Sequence, residues 1–148
     1  MSAGEILVLH GPNLNALGTR EPHIYGTTTL ADIDASLADA AGRAGYAVRT
    51  MQTNSLGDMV DAVHAAKQVR GILVNPGAFT HFAWSLHDAL ASVKVPAVEV
   101  HISNPASREP WRHLSVVAPV VIGSVAGFGA ASYLVALDAL LRHLSTTR

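Results

Sequence analysis

Ala97-Val-Glu-Val-His-Ile102, running on into Ser103-Asn104, reads as a buried strand that carries a carboxylate, an imidazole and a hydroxyl on alternate residues. In an extended chain alternate side chains share a face. Glu99, His101 and Ser103 therefore line one side, while Val98, Val100 and Ile102 pack the other. A core strand has no packing reason to carry that polar row, because burying a charge or an unpaired imidazole is costly or shifts its pKa. Either the groups satisfy one another, as a core histidine held by Glu99 would be, or they face a site.

Segments 5–10, 47–53, 71–75 and roughly 119–125 also read as strands. The first, third and fourth strands in chain order are nearly continuous apolar runs, as parallel strands buried on both faces are. Helical periodicity separates them. Leu30, Ile33, Leu37, Ala40 and Ala44 keep one helical face, opened by Thr29 with Asp32 as a capping box and closed by Gly45. Leu56, Met59, Val60 and Val63 form the next face, with Ser55 and Asp58 as a second capping box. Trp84, Leu86 and Leu90 mark a third helix. Tyr133, Leu134, Leu137, Leu140, Leu141 and Leu144 mark a terminal one, with 145–148 as a loose tail. This β-α alternation predicts a three-layer α/β domain with a largely parallel sheet. With no repeat, low-complexity stretch or linker, residues 1–148 are expected to form one domain.

Composition narrows the function. Hydrophobic residues make up 49% and charged residues only 14%, a thin charged surface that suggests some faces are covered by other subunits. Lys and Arg total 10 against 11 Asp and Glu, so no global basic field recruits nucleic acid or anionic lipid. No apolar run approaches the roughly 18 residues of a membrane span, and Met1-Ser-Ala-Gly-Glu5 has no basic region typical of a signal peptide. The absence of cysteine excludes disulfides, thiolate nucleophiles and Cys-ligated metals. A cytoplasmic location is expected.

The unusual polar residues fall in a pattern. Asn13, Asn15, Arg20 and Tyr25 follow the first strand, Asn54 the second, Asn75 and His81 the third, and the stretch from His101 to Arg112 the fourth. Ligands in open α/β sheets bind outside the carboxyl ends of the strands, so these residues converge on one edge. The connection Gly11-Pro-Asn-Leu-Asn-Ala-Leu-Gly-Thr-Arg20-Glu-Pro-His-Ile-Tyr25-Gly26 is longer than a typical βα loop, as lids and binding loops are. A guanidinium near a phenol favours the phenolate, and a phenolate excluded from water is a strong general base. Asn75-Pro-Gly-Ala-Phe-Thr-His81 has small residues that let backbone amides approach a ligand. Ser103-Asn-Pro-Ala-Ser-Arg108-Glu-Pro-Trp-Arg112-His113 is dense in anion-binding donors. Singly, the arginines read as surface ion pairs and His81 as a turn histidine. Together they describe a pocket for a small, oxygen-rich anion with a candidate base and a candidate acid.

Gly11-Pro-Asn-Leu-Asn15, Gly18-Thr-Arg-Glu-Pro22, Ile24-Tyr-Gly26, Asn75-Pro-Gly-Ala78, Thr80-His81, Glu99-Val-His-Ile-Ser-Asn104 and Arg108-Glu109 together resemble the type II 3-dehydroquinate dehydratases, in order along nearly the whole chain. The resemblance implies a flavodoxin-like fold with a five-stranded parallel sheet. It implies the reversible dehydration of 3-dehydroquinate to 3-dehydroshikimate without a cofactor or metal, and a homo-oligomer that is a dodecamer built as a tetramer of trimers. By the same resemblance, Tyr25 removes the proton next to the ketone and Arg20 helps hold it as phenolate. Asn13 orients a water toward the enolate oxygen, a preorganised form of electrostatic stabilisation. His101, held by Glu99, protonates the departing hydroxyl. Asn75, Ser103 and the amide of Ile102 hold the substrate carboxylate, His81 and Arg112 contact ring hydroxyls, and Arg108 closes over the site. Asp88 reaches the site of a trimer neighbour.

Some positions depart from that family's pattern: His10 stands where Asn is usual, Thr53 and Leu56 replace a Ser and a Glu, Ala83 stands for a Ser, and His87 for an Arg. None of them is a proposed acid or base. A Schiff-base dehydratase has poor support, since Lys67 and Lys94 lie on a predicted helix and in a helix-to-strand turn, away from the carboxyl edge. A metal hydrolase would draw on eight histidines, yet none forms a His-Glu-x-x-His helix or a comparable set. A flavin or nucleotide-binding module is the main alternative outside enzymes. Its glycines, Gly123 with Gly127 and Gly129, follow the last strand rather than the first, so they are expected to permit close helix packing.

Overall fold

The computed structural model describes residues 3–19 and 21–146, with Tyr25 described for its backbone alone. Five parallel strands, β1 (Gly4–His10), β2 (Tyr46–Gln52), β3 (Gly71–Asn75), β4 (Ala97–His101) and β5 (Gly123–Ala126), pair in the order β2-β1-β3-β4-β5. That is the flavodoxin-like order, whose switch point lies between β1 and β3.

Alternation along the central strands assigns each residue to one of two cores. Ile6 and Val8 of β1, with Leu73, Val98 and Val100, pack under α2 (Leu30–Arg43) and α5 (Ala131–Thr146). Leu7 and Leu9, with Ile72 and Val74, pack on the opposite face under α3 (Leu56–His64) and α4 (Trp84–Val93). β3 is buried at every residue, whereas β2, at the sheet edge, has no fully buried residue and alternates only over its first four. Edge strands have a partner on one side alone, so their pattern is that of a half-buried surface.

The capping box at Thr29 and Asp32 is present in both directions, and the helix stops just before Gly45, whose φ of 90° is left-handed. The second is half formed: Ser55 Oγ accepts from the Asp58 amide at 3.2 Å, with no return bond. In α5, Tyr133, Leu137, Leu140 and Leu144 are buried, but Leu134 is exposed, because it lies about 100° round the helix from that stripe. Trp84 likewise is exposed beside buried Leu86 and Leu90. Ser145 and Thr146 belong to the last turn of α5 and not to a tail, their hydroxyls bonded to the carbonyls of Arg142 and His143.

The last strand begins four residues later than 119, because Pro119 sits in a 3-10 turn (Ala118–Val120) and has no N–H for a ladder. Lys67 lies in the turn after α3, beyond the helix the sequence suggested. The expectation that Gly123, Gly127 and Gly129 permit helix packing is not met. No atom lies near a Cβ built at Gly123 or Gly129, while Gly127 and Gly129 have left-handed φ and donate to the carbonyls of His101 and Ile102. They shape a turn that catches the end of β4. No helix among the described residues is long and apolar enough to cross a membrane.

Candidate active site

The loops after β1, β3 and β4 meet at the switch point. Gly11 N donates to Asn75 O at 2.8 Å, and a Cβ at residue 11 would stand 2.6 Å from the Pro76 carbonyl oxygen, so only glycine permits this approach. From there the first loop is clamped by the end of β2: Gln52 Nε2 donates to Gly11 O at 3.1 Å, and Asn54 Oδ1 accepts from the amide of Asn13, whose φ is 70°. The result is a cleft of about 180 Å³. Pro12, Asn13 and Leu14 form one wall, Asn75, Gly77 and His81 a second, and His101, Ile102, Ser103, Arg108 and Arg112 a third.

At its base, His101 Nε2 lies 2.5 Å from Glu99 Oε2. Glu99 is 1% exposed and accepts further from Thr80 Oγ1 at 2.5 Å and from Ser115 Oγ at 2.8 Å, with Ser124 at 3.4 Å. Burial, the largest influence, pushes its carboxyl pKa up, but the bond and charge of His101 and the two hydroxyl bonds together hold it below the usual carboxylate range. Glu99 is thus a carboxylate, which only accepts, so His101 Nε2 carries a proton and Nδ1 is the nitrogen left for chemistry. Val98, Val100 and Ile102 enter the core on the other side of the strand, as the alternation predicted.

His81 Nδ1 donates to Leu114 O at 2.7 Å, because a carbonyl cannot donate. In the neutral ring its Nε2 is then an acceptor, suited to a hydroxyl. Arg108 Nη1 donates to Ser103 Oγ at 3.1 Å, and Arg112 Nε donates to Glu109 Oε2 at 3.1 Å with its guanidinium 4.0 Å over the Trp111 ring. Both arginines are largely buried for charged side chains, which argues against simple solvated surface pairs. Asn75 Oδ1 accepts from Gly77 N at 3.1 Å.

Asp88 lies on α4 outside the cleft of its own chain, 81% exposed in its side chain and 2.9 Å from His87 Nδ1. Arg20 and the side chain of Tyr25 lie outside the described residues. After Arg20 the described backbone forms a single-turn helix, α1 (Pro22–Tyr25), which puts His23 and Ile24 in a groove shared with Ser103, Asn104 and Arg108. Asn54 was placed at this edge by its position after the second strand, whereas Ser115, Ser124 and Gln52 were missed as supports of the site. Each is a common surface residue type with no local pattern around it, so the sequence carries no signal for them. Among the described residues, no cluster of three or more His, Cys, Asp or Glu could hold a metal ion.

A model of the family described as dehydroquinase class II matches residues 4–141. The chain belongs to this family. It is 55% identical over 141 residues to a 3-dehydroquinate dehydratase of Ruegeria pomeroyi, covering 95% of each chain. It is 54% identical to one of Stenotrophomonas maltophilia, covering 97% of this chain and 99% of the other. Among solved structures, a type II dehydroquinase from Propionibacterium acnes superposes with a TM-score of 0.90 at 44% identity, covering 95% of this chain and 98% of that one. As a class II dehydroquinase, the chain is an enzyme. Its family's fold is the sheet order and cleft described above.

Proposed function

We propose that Tyr25 takes the proton next to the ketone of 3-dehydroquinate and that His101 returns one to the departing hydroxyl. The overall reaction is the reversible dehydration of 3-dehydroquinate to 3-dehydroshikimate, a lyase step of the shikimate pathway. Between the two transfers lies an enolate, whose oxygen Asn13 stabilises through a water. The observation that carries this reading is the Glu99–His101 pair at the base of an otherwise cationic cleft, since a buried carboxylate beside an imidazole builds a general acid. Arg108, Ser103, Ile102 and Asn75 supply donors for the substrate carboxylate, and His81 and Arg112 contact the ring hydroxyls. Arg20 holds Tyr25 toward phenolate, and Arg108 closes the site.

The direct test adds 3-dehydroquinate to the purified protein and follows ultraviolet absorbance from the conjugated enone acid. Turnover is expected, and it should survive both a chelator and borohydride in the presence of substrate, because Lys67 and Lys94 lie away from the cleft. No absorbance would overturn the assignment. Loss under chelator or borohydride would overturn the Tyr–His mechanism.

We also infer that the chain assembles as a dodecamer, a tetramer of trimers, in which Asp88 reaches a neighbour's cleft, and that it works in the cytoplasm. Phe82 and Trp84, 58% and 61% exposed beside the turn that leads into α4, support a covered face near Asp88. Light scattering at working concentration should give a large symmetric assembly. A monomer would contradict it and leave Asp88 without a role.

A further inference from the structure

His10 belongs to none of the roles assigned above, yet it is among the most buried polar residues of the chain, 1% exposed at the carboxyl end of β1. Its position in the alternation turns it toward α2 and α5. Nδ1 lies 2.9 Å from the hydroxyl of Tyr133 on α5, and Nε2 lies 2.7 Å from Asp34 Oδ1 on α2. The same Tyr133 hydroxyl accepts from Asn75 Nδ2 at 2.9 Å. His10 and Tyr133 are each 1% exposed, so no solvent stands in for a missing partner between them.

Hydrogen counting gives this chain one direction. The Gly77 amide requires an acceptor, which makes the Asn75 atom facing it Oδ1 and sends the amide nitrogen toward Tyr133. Tyr133 receives that N–H, so its single hydrogen has to go to His10 Nδ1. Nδ1 is then bare, and Nε2 carries the proton donated to Asp34. Burial, outweighing the bond and charge of Asp34, lowers the His10 pKa, in keeping with a neutral ring. Burial also raises that of Tyr133, which keeps its hydroxyl hydrogen.

One Nδ2 hydrogen of Asn75 is thereby committed to Tyr133, and the other remains for the cleft that Asn75 lines. We propose that His10 is a positioning residue: acting through Tyr133, it locks the amide of Asn75 so that a donor N–H, and not the carbonyl oxygen, meets the substrate carboxylate. The proposal rests on the reading of Asn75 as a carboxylate contact. If His10 no longer accepts, the Tyr133 hydrogen faces the amide hydrogens of Asn75, and that conflict is relieved by rotating the amide and presenting oxygen to an anion.

The test is a cycle of variants in the full chain, read as the split between KM and kcat for 3-dehydroquinate. Asn75→Ala should raise KM by roughly 10–100-fold, the loss of one bond to a charged group, with a smaller change in kcat. His10→Leu and Tyr133→Phe should each raise KM about tenfold in the wild-type background and add almost nothing in the Asn75→Ala background. His10→Asn, whose Oδ1 can accept from Tyr133, should restore KM. Tyr133→Phe keeps the ring packing, so it serves even where His10→Leu fails to fold. An unchanged KM in Asn75→Ala would overturn the carboxylate role of Asn75 and the proposal with it. A raised KM in Asn75→Ala, with unchanged values in Tyr133→Phe and His10→Leu, would overturn the positioning role alone. Penalties that add fully in the double variants would also overturn it, since they would mark a general structural effect.

Discussion

Tyr25→Phe should abolish proton removal while leaving ligand binding largely intact, because the proposed carboxylate and hydroxyl contacts come from the loops after β3 and β4. An unperturbed tyrosine has a pKa of about 10, too high to supply much phenolate near neutral pH. A single opposite charge lowers a neighbour by roughly 1–3 units, which is the part assigned to Arg20. Arg20→Ala should therefore keep some activity but move the ascending limb of the pH profile to higher pH, since the phenolate has lost its stabilising cation. The measurement is kcat/KM against pH for wild type and Arg20→Ala, with Arg20→Lys as the control that keeps the charge. Substantial turnover in Tyr25→Phe would refute the base, and an unmoved limb in Arg20→Ala would refute the tuning.

His101→Ala should lower turnover by about 10²–10⁴-fold, the usual contribution of a positioned acid. Exchange of the proton next to the ketone should suffer less, because that proton goes to Tyr25. The geometry sharpens the expectation. With His101 removed, Glu99 stays buried among Thr80, Ser115 and Ser124, and it is held off the substrate by those bonds, so it is a poor substitute acid. The check is isotope exchange run beside the elimination assay on one preparation. Equal loss of both would place His101 in the first step.

Much of the site was legible because it obeys a period. Glu99 and His101 sit two residues apart in a strand, so the polar row could be seen without knowing what it faced. Asn13, Asn75 and Arg112 could be gathered at one edge because βα loops of a parallel sheet all emerge there. The motifs that resemble the type II enzymes then named the roles. What the chain did not show was how those groups are held. Ser115 and Ser124 were ordinary residues in their own segments, and the half-formed box at Ser55 looked as complete as the one at Thr29.

Read alone, the chain carries the β-α alternation, the two faces of each central strand, the family, and the loops that gather at the carboxyl edge. These follow from local periodicity and short motifs, which the chain carries in one dimension. The ionisation of Glu99, the tautomers of His81 and His101, and the line of hydrogen bonds from Asp34 through His10 and Tyr133 to Asn75 exist in the folded protein alone. Each of those depends on donors and acceptors from segments far apart in the chain, matched at hydrogen-bond distance and shielded from water. No spacing records such a match, because it comes into being when the layers close.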